Sequence, residues 1–407
     1  MYHRTLKKTL EKVSQAFPVL LLTGPRQVGK TTLLELCADD NRTYVTLDDL
    51  DARNLAKNDP ALFLQNYPLP IIIDEVQYAP ELMSYIKIAV DKDKRNGLFW
   101  LTGSQKFNLM SGITESLAGR VAILDLLGLS HAETEGRGEN NIPFLPTEVW
   151  LNHIKPTLTK SKNMIDMYQH IWLGSFPKLH ENGEDIRDIF YRSYIQTYIQ
   201  RDVKDILKIS SDIDFMRFLT AIAARTGQMV NYADLSRDVG VDNKTIKSWM
   251  SVLETSGLIY LLKPYYNNLS KRLIKNSKIY FLDTGLCSYL TKWPDAQSLA
   301  NGAMSGAILE TYIFSEILKS YWHQGKEAHF HYYRDADQKE IDLLIETGDT
   351  LYPVEFKRTG TPSLHATKHF SVLKKLGKHI GTGAVICFVE KDIFLSETVR
   401  AIPAGYI

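Results

Sequence analysis

The sequence predicts an α/β protein of more than one domain, and three observations carry that expectation. Apolar strands alternate with amphipathic helices over the first 130 residues or so. Three short helical patterns then run into a strand-like pair between residues 212 and 283. From 284 to 407 helix and strand signals mix. The chain has 407 residues, 44% of them hydrophobic and 23% charged. That is enough for two or three domains with cores of their own, without disulfide staples. The composition excludes disordered, collagen-like and low-complexity chains. The formal net charge of +1 excludes a globally basic protein, so nucleic-acid contact needs a local patch. Cys37, Cys287 and Cys387 lie far apart in sequence. They form neither a disulfide framework nor a zinc cluster, which fits a reducing compartment.

The N-terminal MYHRTLKKTLEKVSQAF has the spacing of a charged amphipathic helix and no cleavage-site pattern. No segment reaches the ~18 apolar residues of a membrane span. The expected location is the cytoplasm, with no membrane partner. Strands are predicted at Val19–Thr23, Thr43–Leu47, Leu69–Asp74, Leu98–Thr102 and Val121–Leu126. Helical patterns between them argue for a parallel sheet covered by helices. Gly136 to Pro146, GRGENNIPFLP, is rich in polar residues, glycine and proline and reads as a boundary. The predicted domains are 1–145, 146–211 (helical), 212–283 and 284–407. No internal repeat is evident.

GPRQVGKT at 24–31 fits G-x-x-x-x-G-K-[ST], with an apolar strand before it and a helix after it. Glycines let backbone N–H groups turn inward around phosphate oxygens. Gly24, Pro25, Arg26, Gln27, Val28, Gly29, Lys30, Thr31 and Thr32 form the expected nucleotide-binding set. Lys30 would reach the β and γ phosphates, and the Thr31 hydroxyl would ligate Mg²⁺. The next helix points its positive end at the anion. In LPIIIDEVQ three isoleucines make a buried strand that ends in Asp74 and Glu75. Open α/β sheets bind ligands at that edge. Asp74 suits the Mg²⁺ shell and Glu75 suits activation of the attacking water. LFWLTGSQ is a further buried strand, at whose end Ser104 either positions the γ-phosphate or closes a turn. Arg120 in ESLAGRV is either an arginine finger for a neighbouring copy's nucleotide or a surface arginine.

GPRQVGKTT, IIIDEVQ, LTGSQ and SLAGRV, in this order, resemble the AAA+-type P-loop ATPases. More narrowly, the chain resembles prokaryotic ATP-binding proteins that carry a C-terminal domain of unknown function. WLGSFP (172–177), YIQTYIQRDV (194–203) and KIYFLDTGL (278–286) are similar to later signatures of that family. The resemblance implies an AAA+-like sheet with a helical lid, ATP and Mg²⁺ as ligands, and Ser104 as a sensor. It makes Arg120 the candidate finger, which would demand a homo-oligomer. One departure is Gly128-Leu129-Ser130, where relatives tend to show a proline before the Leu-Ser pair.

FMRFLTAIAARTG, NYADLSRDVG and VDNKTIKSWMSVLETSGLI read as three helices, with Asp242 as an N-cap and Gly240 at the turn. With LIYLLKPYY and KIYFLD as strands, the segment looks like a winged helix. Its third helix would expose Lys244 and Lys247 while Ile246, Trp249, Val252 and Leu253 pack inward. The connecting segment holds Lys263, Lys271, Arg272, Lys275 and Lys278 with no acid, and Tyr265 and Tyr266 interleaved. Lys244, Lys247, Lys271, Arg272 and Lys275 are the candidate contacts to DNA or RNA. A winged helix also serves as a protein-interaction module, so a protein partner is the other expectation.

EIDLLIE and LYPVEFKR read as adjacent strands, and Glu355 and Lys357, two apart, share a face. With Glu310 on an upstream helix and Asp342 on the first strand, the order resembles the PD-(D/E)xK nuclease fold. Glu310, Asp342 and Glu355 would hold Mg²⁺, and Lys357 would stabilise developing charge. A retained fold without activity remains the alternative. The cluster His329, His331, Tyr332 and Tyr333 reads as cross-strand packing. Three functions follow as expectations. The first is an ATPase that moves a winged helix and a nuclease-like domain on nucleic acid. The second is an ATP-regulated metal-dependent nuclease. The third is a nucleotide-gated protein-interaction switch.

Overall fold

VLLLT and III lack the alternation of a strand with one wet face, so a sheet built on them must be covered on both sides. The computed structural model bears this out. It describes residues 1–104, 116–158, 163–197, 211–266 and 276–407. Strands β1 (Val19–Thr23), β2 (Thr43–Thr46), β3 (Ile71–Asp74), β4 (Phe99–Gly103) and β5 (Val121–Asp125) form one sheet in the order β2-β3-β4-β1-β5. Every pairing in it is parallel, with Val19 opposite Phe99 on one side and Val121 on the other. All residues of β1, β3 and β4 are buried. Helices α1 (Leu6–Ala16), α2 (Lys30–Cys37), α3 (Leu50–Asn58), α4 (Pro60–Asn66) and α5 (Leu82–Lys92) accompany the strands. The N-terminal helix is present as expected, and Leu6 and Leu10 bury its apolar stripe.

The chain forms two compact units. The first comprises Met1–Leu129 with Thr255–Gly257 and Trp322–Lys326, and the second comprises the remainder. Residues 130–145, grouped by sequence with the first sheet, belong to the second unit. The reason is hydrogen bonding to helix Ser305–Trp322. The His131 backbone N–H donates to Glu316 at 2.6 Å, the Phe144 N–H donates to Ser320 Oγ at 3.0 Å, and Tyr321 Oη donates to the Phe144 carbonyl at 2.9 Å.

The second unit continues with α6 (His131–Thr134), α7 (Glu148–Ile154), α8 (Met164–Leu173), α9 (Pro177–Asn182) and α10 (Arg187–Tyr194). Then follow α11 (Asp212–Ala223), α12 (Tyr232–Val239) and α13 (Asn243–Thr255), and the antiparallel pair β6 (Ile259–Leu262) and β7 (Lys278–Phe281). Trp249 of α13 packs on Phe215 and Phe218 of α11, each with ring centroids 5.2 Å apart, so it is core as its spacing indicates. Helices α14 (Thr284–Leu290), α15 (Ala296–Asn301) and α16 (Ser305–Trp322) lead to the last sheet.

That sheet contains β8 (Phe330–Arg334), β9 (Glu340–Thr347), β10 (Thr350–Phe356), β11 (His379–Ile380), β12 (Gly383–Cys387), β13 (Ile393–Ser396) and β14 (Val399–Pro403). Its order is β13-β14-β12-β10-β9-β8, with β11 beside β10. β8, β9 and β10 are antiparallel, while β10, β12 and β14 run parallel. The β13–β14 hairpin was not foreseen. Its first strand is largely exposed and carries no clear alternation. Among the described residues no helix is long and apolar enough to cross a membrane.

Two signatures quoted for the family meet in this unit. Asp283 accepts hydrogen bonds from the Ser175 backbone N–H at 2.6 Å, Ser175 Oγ at 2.7 Å, Tyr191 Oη at 2.9 Å and the Leu286 N–H at 2.6 Å. Gly174 sits at φ +87°, where a Cβ would lie 2.1 Å from Tyr191 Oη. WLGSFP and FLDTG are thus a buried carboxylate and the donors that satisfy it.

Candidate functional site

The turn between β1 and α2 is built around close backbone approach. Gly24 has φ +144°, and a Cβ there would meet the Leu126 carbonyl oxygen at 2.0 Å. Gln27 and Gly29 also have positive φ. Lys30 is buried, and its ammonium donates to the carbonyls of Gly24 at 3.0 Å and Pro25 at 2.8 Å. Burial lowers its pKa to about 8, opposed by the charges of Glu75 and Asp74. Its side chain thus spans the loop that would receive phosphate. Gln27 lies in the turn and Thr32 in the first turn of α2, and both are exposed.

Asp74 and Glu75 stand where β3 ends, beside the end of β4. Thr31 Oγ1 donates to both Asp74 oxygens at 3.1 Å, Tyr44 Oη donates to Asp74 Oδ2 at 3.2 Å, and Thr102 Oγ1 donates to Asp74 Oδ1. Glu75 has left-handed backbone (φ +55°). Its carboxylate accepts from Ser104 Oγ at 3.3 Å and from the Gln77 amide. A hydroxyl and a carboxylate in direct contact are an oxygen donor set that suits Mg²⁺.

The structure therefore brings Lys30, Thr31, Asp74, Glu75 and Ser104 together. It does not bring Arg120 to them. Arg120 Nε donates to Asp91 Oδ1 of α5 at 2.7 Å on the exposed surface of the unit. Two residues escaped the sequence reading. Thr102 was recognisable only as a hydroxyl near the end of a buried strand. Arg4 is buried and donates to the Val28 carbonyl and the Leu127 carbonyl, both at 2.7 Å. It braces the phosphate loop from 24 residues upstream, where no motif marks it.

In the second unit Asp342, Glu355 and Lys357 also converge. Lys357 Nζ lies 2.6 Å from Glu355 Oε2 and 3.4 Å from Asp342 Oδ2, and the Phe356 N–H donates to Asp342 Oδ2 at 2.9 Å. Lys278, read as part of a basic wing, is elsewhere. It is only 3% exposed. Its ammonium lies 2.6 Å from Glu340, 3.2 Å from Glu310 and 3.9 Å from Asp342. Lys278 and Tyr280 share a face of β7, and Tyr280 Oη donates to Glu310 at 2.6 Å. Tyr265, read as an interleaved aromatic, is buried as well.

These charges set the acids apart. Burial raises Glu310 to about 7, with the Asp342 charge adding to it. Burial raises Glu355 to about 9, again helped by Asp342. Burial also acts on Asp342, but the ammonium groups of Lys278 and Lys357 outweigh it and hold its pKa below the ordinary value. Lys357 is pushed up to about 12, because Asp342 and Glu355 outweigh its burial. Mg²⁺ needs these carboxylate oxygens at roughly 2.0–2.1 Å, and two ammonium groups already hold them. The set does not fit the metal while Lys278 is in place.

Lys244 and Lys247 are exposed on α13, as its spacing indicates. Lys271, Arg272 and Lys275 lie outside the described residues. His331 packs against Tyr265 with ring centroids 5.5 Å apart and lies 3.5 Å from Glu346, in keeping with cross-strand packing. Among the described residues, His131, Glu135 and His170 bring potential ligand atoms within 4.8 Å of one another. Glu135 and Glu316 act on the buried Arg137, and Lys319 bonds Glu316 at 2.7 Å.

The phosphate turn, the acid pair and the parallel sheet define a P-loop nucleotide-binding domain. Residues 16–135 match the family described as an AAA domain, so this part of the chain is an AAA-type P-loop domain. Residues 164–297 and 305–407 match two families described as domains of unknown function, DUF8612 and DUF4143. An uncharacterized protein of Mycobacterium tuberculosis is 29% identical over 401 residues, covering 98% of this chain and 82% of that one. An uncharacterized protein of Haemophilus influenzae is 22% identical, covering 89% and 88%. Among solved structures, the Walker-type ATPase of Pyrococcus abyssi is similar at 15% identity with a TM-score of 0.45, over 70% of this chain and 94% of that one.

Proposed function

We propose that the chain hydrolyses Mg²⁺–ATP at the β1–α2 turn and that the second unit reads out the nucleotide state. The observation that carries this is the contact of Thr31 with Asp74 beside Glu75 and Ser104, at the carboxyl edge of a parallel sheet. The main-chain N–H groups of residues 24–31 bind the phosphates, and Lys30 exchanges its loop carbonyls for β and γ oxygens. Thr31 and Asp74 would hold Mg²⁺, which neutralises charge on the transferred phosphoryl group. Glu75 accepts a proton from the attacking water, and Ser104 orients the carboxylate. Arg120, exposed on its own unit, suits action on a neighbouring copy's nucleotide. Replacing Glu75 by Gln tests the reading. Steady-state ATP turnover should fall about 10²–10⁴-fold with nucleotide binding retained, and unchanged turnover would end it.

The readout proposed for the second unit is a winged helix at 212–283, α11 to α13 followed by the β6–β7 pair. Exposed Lys244 and Lys247 support nucleic acid as its ligand. Within the second unit the divisions 146–211, 212–283 and 284–407 are proposed with it, and residues 130–145, placed by sequence in a 1–145 domain, are the segment that leads from the nucleotide domain to the helices. The convergence of Asp342, Glu355 and Lys357 supports a nuclease-like fold for the last domain.

A further inference from the structure

The last sheet carries the acids of a metal-dependent phosphodiesterase, yet their centre is occupied by a side chain. Glu310 enters from α16, Glu340 and Asp342 from β9, and Glu355 from β10. Lys278 enters from β7, outside that sheet. We infer that Lys278 is the resident cation of this carboxylate cluster, standing where a divalent metal would bind, so that the native site is metal-free and does not cut phosphodiesters.

Three observations carry the inference. The first is distance. One ammonium touches Glu340 at 2.6 Å and Glu310 at 3.2 Å and lies 3.9 Å from Asp342. It approaches oxygens that a metal would have to share, and an ammonium and a divalent cation cannot occupy that space together. The second is constraint. Lys278 is 3% exposed and its strand is held on both sides. Lys278 pairs with Leu262 of β6 and bridges to Met229. The ammonium also lies 5.7 Å from the centre of the Tyr332 ring. The backbone of β7 is thereby fixed, and burial keeps the side chain among its acids and away from water. The third is the second lysine. Lys357 Nζ holds Glu355 at 2.6 Å and Asp342 at 3.4 Å, so the remaining acid also has an ammonium partner.

The cluster thereby fastens β7 to α16 and β9. A buried ammonium is strongly disfavoured without such partners, and three acids around one amine provide them. The conclusion does not depend on the ATPase reading, because every residue in it belongs to the second unit.

The test counts bound Mn²⁺ by the electron paramagnetic resonance signal of the free ion. The full chain is used without nucleotide and with Asp74→Asn, which silences the proposed metal position at the phosphate loop. With Lys278 present, no bound ion should depend on Asp342. Adding Lys278→Met should create one Mn²⁺ site per chain, and a further Asp342→Asn should abolish it. Lys278→Gln serves as a second variant if the methionine chain melts without cooperativity. A Mn²⁺ ion bound to the Lys278-containing chain and lost in Asp342→Asn would overturn the inference. So would a folded Lys278→Met chain that gains no ion, or Mn²⁺-dependent DNA cleavage by the native chain that Asp342→Asn removes. If neither Lys278 variant folds, the count on the Lys278-containing chain decides alone.

Discussion

Both units set a lysine beside a pair of acids, and they use it in opposite ways. At the phosphate loop, Lys30 donates to the carbonyls of Gly24 and Pro25. The oxygens of Asp74 and Glu75 are left to neutral donors from Thr31, Tyr44, Thr102, Ser104 and Gln77. A metal or a water can displace such hydroxyls at little electrostatic cost. In the last sheet the lysines sit on the carboxylates themselves. Displacing them means separating buried opposite charges, which is expensive. The same residue types therefore make an open site in one unit and a closed one in the other. What differs is whether the amine finds a main-chain acceptor or an acid.

The comparison breaks first at catalysis. Glu75→Gln should lower ATP turnover about 10²–10⁴-fold, whereas Glu355→Gln should leave it unchanged, as coupled-assay rates would show. The next effect is on stability. Lys278→Met takes the ammonium partner from buried Glu310, while Glu340 keeps Arg334 at 3.1 Å, and should cost about 3–5 kcal/mol in urea unfolding. Lys30→Met loses ammonium–carbonyl hydrogen bonds but leaves no carboxylate without its cation, and should cost less, about 1.5–3 kcal/mol. Equal losses would remove the distinction.

Acidity sharpens the contrast further. The folded state raises Glu310 from 4.5 to about 7, so it binds an extra proton in that window. Stability from this group is therefore present below about pH 4.5 and falls as the pH rises towards 7. The melting temperature of the native chain should decline across the window more steeply than that of Glu310→Gln.

The smallest effects come from lysines and arginines with no buried partner. If α13 contacts nucleic acid, Lys244→Ala should lessen the slope of log affinity against log salt by about 0.9 per lost phosphate contact on duplex DNA. Arg120→Ala removes an exposed pair with Asp91 and should leave the urea midpoint in place. Turnover that falls in this variant only at concentrations where chains assemble would mark a finger in trans.

Much of the fold was legible because its signals are local. VLLLT, III and LFWLT are short apolar runs that fit buried strands, and GPRQVGKT favours its own turn through the positive φ that Gly24 and Gly29 allow. Glu355 and Lys357 share a face because strand periodicity is two. Trp249 is core because its neighbours repeat at helical spacing. Arg4 and Lys278 were not legible. Nothing near Arg4 says that its guanidinium will meet Val28 and Leu127, and a lysine in an acid-free basic segment reads as solvated. The hydrogen bonds of residues 130–145 to α16 span about 176 to 185 positions of sequence, beyond any periodic pattern. The WLGSFP and FLDTG signatures stood out only by resemblance. Their chemistry, a buried Asp283 with four donors, needed both segments in one place.

Contiguous residues thus settle the phosphate turn, the strands behind it and the identity of the acids. Sterics and periodicity act over a few bonds and survive any arrangement of the rest. Which cation each acid meets is a different kind of fact. Charge pairing depends on distance through space and on burial, and both come into being when β7, α16 and β9 pack. The sequence relates Glu310 and Asp342 as metal ligands, but it leaves Glu340 unmarked and places Lys278 in a basic wing. Packing makes them one closed cluster.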